Sequence, residues 1–186
     1  MARVLIPLAA GCEELEAVTL IDLLVRAGIE VVTAGLEPGP VRASRGVTLL
    51  PDTTLDAVAD EGFDMVVLPG GLPGADHLNA DPRIHALLHR TADAGGYTAA
   101  ICAAPTILAA AGLLAGRRAT SYPGFLDRLA LPDTTTDDSR DVVVDGRVIT
   151  SRGPATAIPF ALQLIALLAG EAKRDEVAAQ LLYRAE

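Results

Sequence analysis

The chain has 186 residues, 51% of them apolar, and a formal charge of -9 at pH 7. Such a length closes one core that buries roughly 70% of the unfolded surface, so a single domain over residues 1–186 is expected. The negative charge repels phosphate backbones and anionic lipid, which argues against nucleic acid and membrane surfaces as partners of the chain as a whole. Two cysteines, Cys12 and Cys102, make no disulfide framework, and neither has zinc-ligand spacing, so a reducing cytoplasm is expected.

The first twelve residues, M-A-R-V-L-I-P-L-A-A-G-C, imitate a lipoprotein signal. Their apolar run is short, contains Pro7 and leads into Glu13, Glu14 and Glu16, so a first strand from Arg3 to Leu8 is the better reading. A helix from Glu14 to Ala27 follows, with Leu15, Val18, Ile21, Leu24 and Val25 on an apolar stripe and Gly28 as its stop. Ile29 to Ala34 reads as the next strand. Val41 to Ala43 and Gly46 to Leu50 flank the polar Ser44-Arg45 pair as a short excursion of paired strands, before a helix near Leu55 to Asp60. Phe63 to Leu68 is a continuous apolar strand that ends in Pro69-Gly70-Gly71.

A helix from about Pro82 to Gly95, a strand from Thr98 to Ile101 and a helix from Pro105 to Leu114 come next. The uncharged stretch Tyr97 to Gly116 passes a length test for a membrane span. It is mostly alanine and is divided by Pro105 and Gly112, so a buried strand and a buried helix account for it better. Arg118 to Ser121 reads as a short strand and Phe125 to Leu129 as one helical turn. Val142 to Val144 and Val148 to Thr150 surround Asp145-Gly146, a hairpin turn. Pro154 to Leu168 is a long apolar helix, and Lys173 to Tyr183 an amphipathic one. Apolar strands alternating with helices indicate a mostly parallel sheet covered on both faces, a three-layer α/β sandwich of flavodoxin-like type.

Ligands of such sheets bind beyond the carboxyl ends of the strands. Three loops leaving those ends are unusual: A-A-G-C-E-E-L-E, P-G-G-L-P-G and C-A-A-P. Cys102 sits on an abrupt strand-to-helix turn, where a thiol facing the helix N-terminus would ionise readily. A small buried hydrophobe is the competing reading of the same residue. Glu13 and Glu14 are most simply partners of the helix dipole, whereas Glu16 on the first turn would approach the Cys102 sulfur if it faced the sheet end. Two anions there would repel, so the pair is expected to share one proton. Backbone N–H groups at Gly70 or Gly71 and at Ala103 would form an oxyanion hole, or else mark a plain turn. His85 and His89 stand four apart and read as a solvated polar face; no metal site is expected. Arg26, Arg45 and Arg152 are candidates for anion or subunit contact.

In order, the strings L-A-A-G-C-E-E-L-E-A-V, I-D-L-L-V-R-A-G-I, S-R-G-V, V-V-L-P-G-G, A-A-I-C-A-A-P and T-S-R-G-P run over essentially the whole chain. Together they resemble the DJ-1/ThiJ/PfpI superfamily, and within it the DJ-1 branch with its bacterial YajL-like members. The resemblance implies a flavodoxin-like (class I glutamine amidotransferase-like) homodimer with a nucleophile elbow. It places the nucleophile at Cys102, the acidic partner at Glu16 and the backbone pocket at Gly71 and Ala103. It also implies a thiolate open to oxidation to the sulfinic state, and activities proposed for the family: glutathione-independent glyoxalase, protein deglycase and redox-regulated chaperone.

Two departures bear on chemistry. PfpI-type peptidases carry histidine directly after the cysteine, where this chain has Ala103, so a peptidase or amidase is not expected. A T-x-H-P setting of the DJ-1 branch reads Thr120-Ser121-Tyr122-Pro123 here, and a tyrosine is too weak an acid to shuttle protons at neutral pH. The expected function is a cytoplasmic, cofactor-free enzyme acting on small dicarbonyls such as methylglyoxal or on glycated protein adducts. The alternatives are a holdase regulated by oxidation of Cys102 and an inactive scaffold on the same fold.

Overall fold

The computed structural model describes residues 1–184. Its elements in chain order are β1 (Arg3–Leu8), α1 (Glu14–Arg26), β2 (Glu30–Gly35), β3 (Val41–Arg42), β4 (Thr48–Leu49), β5 (Thr53–Thr54), α2 (Leu55–Val58) and β6 (Met65–Leu68). There follow α3 (Gly74–Ala80), α4 (Pro82–Asp93), β7 (Tyr97–Ile101), α5 (Pro105–Ala110), β8 (Arg118–Ala119), β9 (Thr135–Thr136), β10 (Val142–Asp145), β11 (Val148–Ser151), α6 (Ala157–Ala169) and α7 (Glu171–Gln180).

The main sheet has seven strands in the order β10-β11-β7-β6-β1-β2-β5, and only β10 runs antiparallel to its neighbour. Because successive side chains of a strand point to opposite faces, each apolar strand feeds two cores. Val4, Ile6, Leu8, Val67 and Ile101 pack with α1 and α6 on one face. Leu5, Val66, Leu68 and Ala100 pack with α2, α3, α4 and α5 on the other. That is the three-layer sandwich of flavodoxin type.

Chain order positions the site. From β1 the chain moves outward to β2 and β5, then returns to β6 on the other side of β1 and continues to β7. The loops after β1, β6 and β7 therefore open side by side at such a reversal, where crevices form in these folds. The Val41–Leu49 excursion is the antiparallel pair β3–β4, with Ser44 and Arg45 in its turn.

Four elements, α3, α5, β5 and β9, differ from the sequence reading, β9 being a pair of threonines, Thr135–Thr136, that it did not contain. Helix α3 lies where a loop was expected, because only Ala75 and Leu78 of its heptapeptide join the core and two apolar positions make no visible period. Helix α5 ends at Ala110 because the Leu113 N–H turns back to the Leu108 carbonyl at 2.9 Å, which closes the helix. The edge strand β5 is two threonines long and was not anticipated. Among the described residues no helix is long and apolar enough to cross a membrane.

Candidate active site

Strand β7 stops at Ile101, and Cys102 takes the left-handed conformation with φ +64°, uncommon for a residue with a side chain. Its backbone is held on both sides: the Cys102 N–H donates to the Ser151 carbonyl at 3.0 Å, and the Tyr122 N–H donates to the Cys102 carbonyl at 2.9 Å. Buried Ala103 and Ala104 let the chain fold back, and Pro105 opens α5 where its missing N–H leaves nothing unsatisfied. The thiol is thereby pushed out of the sheet end, half-buried, into a cavity of about 520 Å³. Helix α5 is only six residues long. Local amides rather than a macrodipole serve the sulfur: the neighbouring Gly71 and Ala103 N–H groups favour its ionised form.

Glu16 is fully buried in the first turn of α1 and reaches the same place from the neighbouring loop. Its Oε2 accepts from the Gly70 N–H at 2.8 Å, and its Oε1 is buried with no N–H or O–H donor. A buried carboxylate needs donors for both oxygens, whereas a carboxylic acid needs an acceptor for its proton. The geometry thus favours a protonated Glu16, with the neighbouring Cys102 sulfur as the available acceptor. Burial pushes Glu16 up to about 7, against the lowering effect of the Gly70 amide and of its hydrogen bond with Cys102. Burial, followed by the charge of ionised Glu16, pushes the Cys102 thiol up to about 12. The second of these causes vanishes when Glu16 holds its proton. One proton shared by the pair, carried as a Glu16 O–H beside a Cys102 thiolate, is the arrangement that gives the orphaned Oε1 a partner.

This arrangement has a signature in stability. The folded pair gives up its first proton near 7, whereas an unfolded glutamate loses its proton near 4.5, so that proton contributes stability that is complete below 4.5 and lost as pH rises through 7. The loss amounts to about 3 kcal/mol at ~1.4 kcal/mol per pKa unit. Urea unfolding of wild type and Glu16→Gln at pH 5 and pH 8 is expected to show the variant gaining by that order on going to pH 8. Equal pH dependence of the two proteins would contradict a buried, proton-holding Glu16.

Gly70 is required by close approach. A Cβ there would stand 2.6 Å from Cys102 Cβ, 2.9 Å from Glu16 Oε2 and 2.9 Å from the Ile101 carbonyl oxygen. Gly70 departs from the expected oxyanion role, since its N–H is already taken by Glu16 and only Gly71 and Ala103 point at the sulfur. Gly70→Ala is expected to cost about 1–3 kcal/mol through overpacking and to slow alkylation of Cys102. Retention of wild-type thiol reactivity in a folded Gly70→Ala protein would contradict the packing described.

The other expected residues divide. Arg45 and Tyr122 line the cavity with Cys102, joined by Leu72, Phe125 and Pro154, which the sequence reading did not single out. Tyr122 lies edge-on to Phe125, the ring centres 6.2 Å apart. Arg152 lines an adjacent cavity of about 240 Å³ on the far side of Tyr122, and its Nη1 donates to the Asp138 carbonyl at 2.8 Å. Arg26 pairs with Asp22 at the opposite end of α1, away from the cavity. The His85 ring is bonded to the Asn79 carbonyl, and His89 is exposed. Cys12 is sealed in the core, where burial and then the charge of Glu14 push its thiol up to about 11. A further cavity of about 490 Å³, next to Leu36, Pro40 and His77, is lined by no cysteine, serine or threonine among the described residues.

Glu14 does more than face a helix dipole. Only 8% exposed, it accepts from the Arg45 N–H at 2.9 Å, the Val47 N–H at 3.3 Å and the Ser44 hydroxyl at 3.0 Å. Burial raises its pKa, but those donors together with its own amide bring it below the ordinary carboxylate range.

A cysteine on a strained strand-to-helix elbow, backed by a buried acid at the carboxyl edge of a parallel sheet, defines a nucleophile-elbow protein of the flavodoxin-like α/β class. The profile of the DJ-1/PfpI family matches residues 2–167, and the chain belongs to that family. It is 48% identical to Protein dj-1beta of Drosophila melanogaster over 179 residues, covering 96% of this chain and 95% of that protein. The crystal structure of that Drosophila protein superposes with a TM-score of 0.94 at 46% identity, covering 99% of each chain. Oxidized Toxoplasma gondii DJ-1 superposes equally well, with a TM-score of 0.94 at 41% identity over 100% of each chain. Glutathione-independent glyoxalase DJR-1.2 of Caenorhabditis elegans is 38% identical over 176 residues, 95% of this chain and 92% of that protein. These names support the DJ-1 branch; the narrower YajL-like assignment stays an expectation from the motifs.

Proposed function

We propose that the protein is a cofactor-independent enzyme converting small 2-oxoaldehydes, methylglyoxal among them, into 2-hydroxy acids, and acting on the early adducts of such aldehydes with protein thiols and amines. The observation that carries this reading is the orphaned Oε1 of buried Glu16 next to the half-buried Cys102 of the elbow. The glyoxalase relative in Caenorhabditis elegans supports it.

The Cys102 thiolate adds to the aldehyde carbon, and the Gly71 and Ala103 amides hold the oxygen as its charge develops. Glu16 donates to that oxygen, then as carboxylate removes the proton from the former aldehyde carbon and returns it to the ketone carbon through an enediol. The resulting thioester is hydrolysed by water, which releases the 2-hydroxy acid and restores the thiol. Methylglyoxal and one water give lactate, with no external oxidant or reductant. Incubation with methylglyoxal in the absence of glutathione, followed by proton NMR, is expected to show lactate accumulating; no lactate from a protein whose Cys102 alkylates normally would overturn the reading.

A second reading is a redox-sensing holdase, favoured by the existence of an oxidized form of the similar Toxoplasma protein and by the half-buried, cavity-lining position of Cys102. Mass spectrometry after mild peroxide, paired with a client aggregation assay, separates it from the enzyme: a sulfinic acid without change in client protection counts against the sensor. In both readings the protein acts as a homodimer in the cytoplasm. The exposed apolar side chains Leu15 and Val18 on α1, and Val47 and Leu50 on the β3–β4 hairpin and its exit, support association.

A further inference from the structure

We infer that Tyr122 is a specificity-determining residue of the Cys102 site, and that its ring selects electrophiles whose carbonyl carries a flat apolar substituent. The inference deepens the proposed function and rests on that reading for its substrate class, 2-oxoaldehydes of the aryl type, though not for its test.

The walls of the Cys102 cavity divide by character. Tyr122, Phe125, Pro154 and Ala155 come from the loops after β8 and β11, and Leu72 from the loop after β6, whereas the polar wall comes from the residue before α1 and from the β3–β4 turn. In the sheet β11 lies on one side of β7, with β6 and β1 on the other, and β8 packs against β10 and β11. Tyr122, Phe125, Pro154 and Ala155 therefore stand across the elbow from α1 and the β3–β4 hairpin, and belong to elements outside the subunit contact proposed through those two.

The Tyr122 ring is held in place. Its own backbone is tied to the nucleophile, the Tyr122 N–H donating to the Cys102 carbonyl at 2.9 Å. Phe125 meets the ring edge-on, with the planes at 81° and the centres 6.2 Å apart, the arrangement of a favourable aromatic pair. Gly153 makes its seat on another side: a Cβ there would stand 3.2 Å from Tyr122 Cδ2 and 3.7 Å from Cε2. The φ of Gly153 is 171°, extended backbone open to any residue, so the close ring contact is what a glycine serves in T-S-R-G-P. The same ring borders both the Cys102 cavity and the cavity of about 240 Å³ beyond it, and forms the partition between them.

Size points the same way. Methylglyoxal has five non-hydrogen atoms and fills on the order of 100 Å³ at liquid packing, whereas the cavity holds about 520 Å³. With its aldehyde carbon at the sulfur, a methyl substituent leaves most of the apolar wall unused. Phenylglyoxal fills on the order of 200 Å³ and brings a ring to set against Tyr122. An apolar wall discriminates between substituents through the surface they bury, and an aromatic one adds the preference of ring for ring.

The test compares phenacyl bromide with bromoacetone, bromoketones that carry the same two substituents, with modification of Cys102 followed by peptide mass spectrometry and each rate divided by that of free glutathione. The thiolate displaces bromide from either reagent, so no step of the proposed catalysis enters. The corrected phenacyl-to-acetonyl ratio is expected to be about fivefold above unity in wild type, the size of an aromatic contact, to be kept in Tyr122→Phe, and to fall about fivefold in Tyr122→Ala and about threefold in Tyr122→Leu. A ratio unchanged within twofold in Tyr122→Ala, or lost as fully in Tyr122→Phe, overturns the inference whatever the protein turns over; should Tyr122→Ala not fold, Tyr122→Leu decides by the same criterion. A second arm measures kcat and KM for phenylglyoxal against methylglyoxal, where Tyr122→Ala is expected to raise KM for phenylglyoxal with little change in kcat, the mark of a substituent bound alike in ground and transition states. If neither aldehyde is consumed while the bromoketone ratio shifts, the proposed function fails and selection by Tyr122 at Cys102 stands.

Discussion

Cys102→Ser is expected to lower lactate formation from methylglyoxal by ~10⁴-fold or more, the scale on which a covalent nucleophile is lost. Serine fits the elbow: it differs by one atom, and the backbone hydrogen bonds to Ser151 and from Tyr122 do not involve the side chain. The fold and melting temperature should therefore stay near wild type, which separates lost chemistry from lost structure. What serine cannot supply is an anion at neutral pH, since the amides of Gly71 and Ala103 and the acid of Glu16 act on a group far less acidic than a thiol. A Cys102→Ser protein that still makes lactate at a tenth of the wild-type rate would show that the sulfur does not form the covalent intermediate.

Glu16→Gln is expected to lower the same rate by ~10²–10⁴, the range for general acid–base catalysis. The amide keeps the size of the carboxyl and an acceptor for the Gly70 N–H, but it neither protonates the developing oxygen nor moves a proton between carbons. The pH dependence should change with it. The wild-type rate rises through about 7, where the pair gives up the first of its two protons, and the variant loses that limb. An unaltered rate profile in Glu16→Gln would place proton transfer elsewhere, with solvent or with Tyr122 as the remaining routes.

The sequence made much of this architecture legible, for physical reasons that differ between elements. Strands β1, β6 and β7 are buried on both faces, so they read as unbroken apolar runs, and the hairpin of β10 and β11 is marked by Asp145-Gly146. Cys102 was visible because a small-residue turn and a proline must follow a strand for an elbow to form. Glu16 was visible because the first turn of a helix leaving β1 can face the sheet end. Helix α3 was hidden by its brevity, since Ala75 and Leu78 alone carry its packing.

What the sequence withheld were the contacts between distant segments. Nothing in G-C-E-E-L-E distinguishes a glutamate that caps a helix from one that reaches 31 residues along the chain to the Arg45 amide. The division of the glycine pair was equally closed: Gly70 serves the acid and Gly71 the sulfur, although as neighbours in P-G-G they look interchangeable. The reversal of the pKa argument came from the same source. Helix polarity predicts a lowered thiol, but burial and a neighbouring carboxyl dominate at Cys102, and the thiolate depends on Glu16 keeping its proton.

That dependence is tested most directly by the rate of iodoacetamide alkylation at Cys102 as a function of pH, in wild type and in Glu16→Gln. The wild type is expected to show a step near 7, and the variant a single step displaced above the ordinary thiol value of ~8.5. Coincident midpoints in the two proteins, or a wild-type midpoint at or above ~8.5, would contradict a proton shared between Glu16 and Cys102.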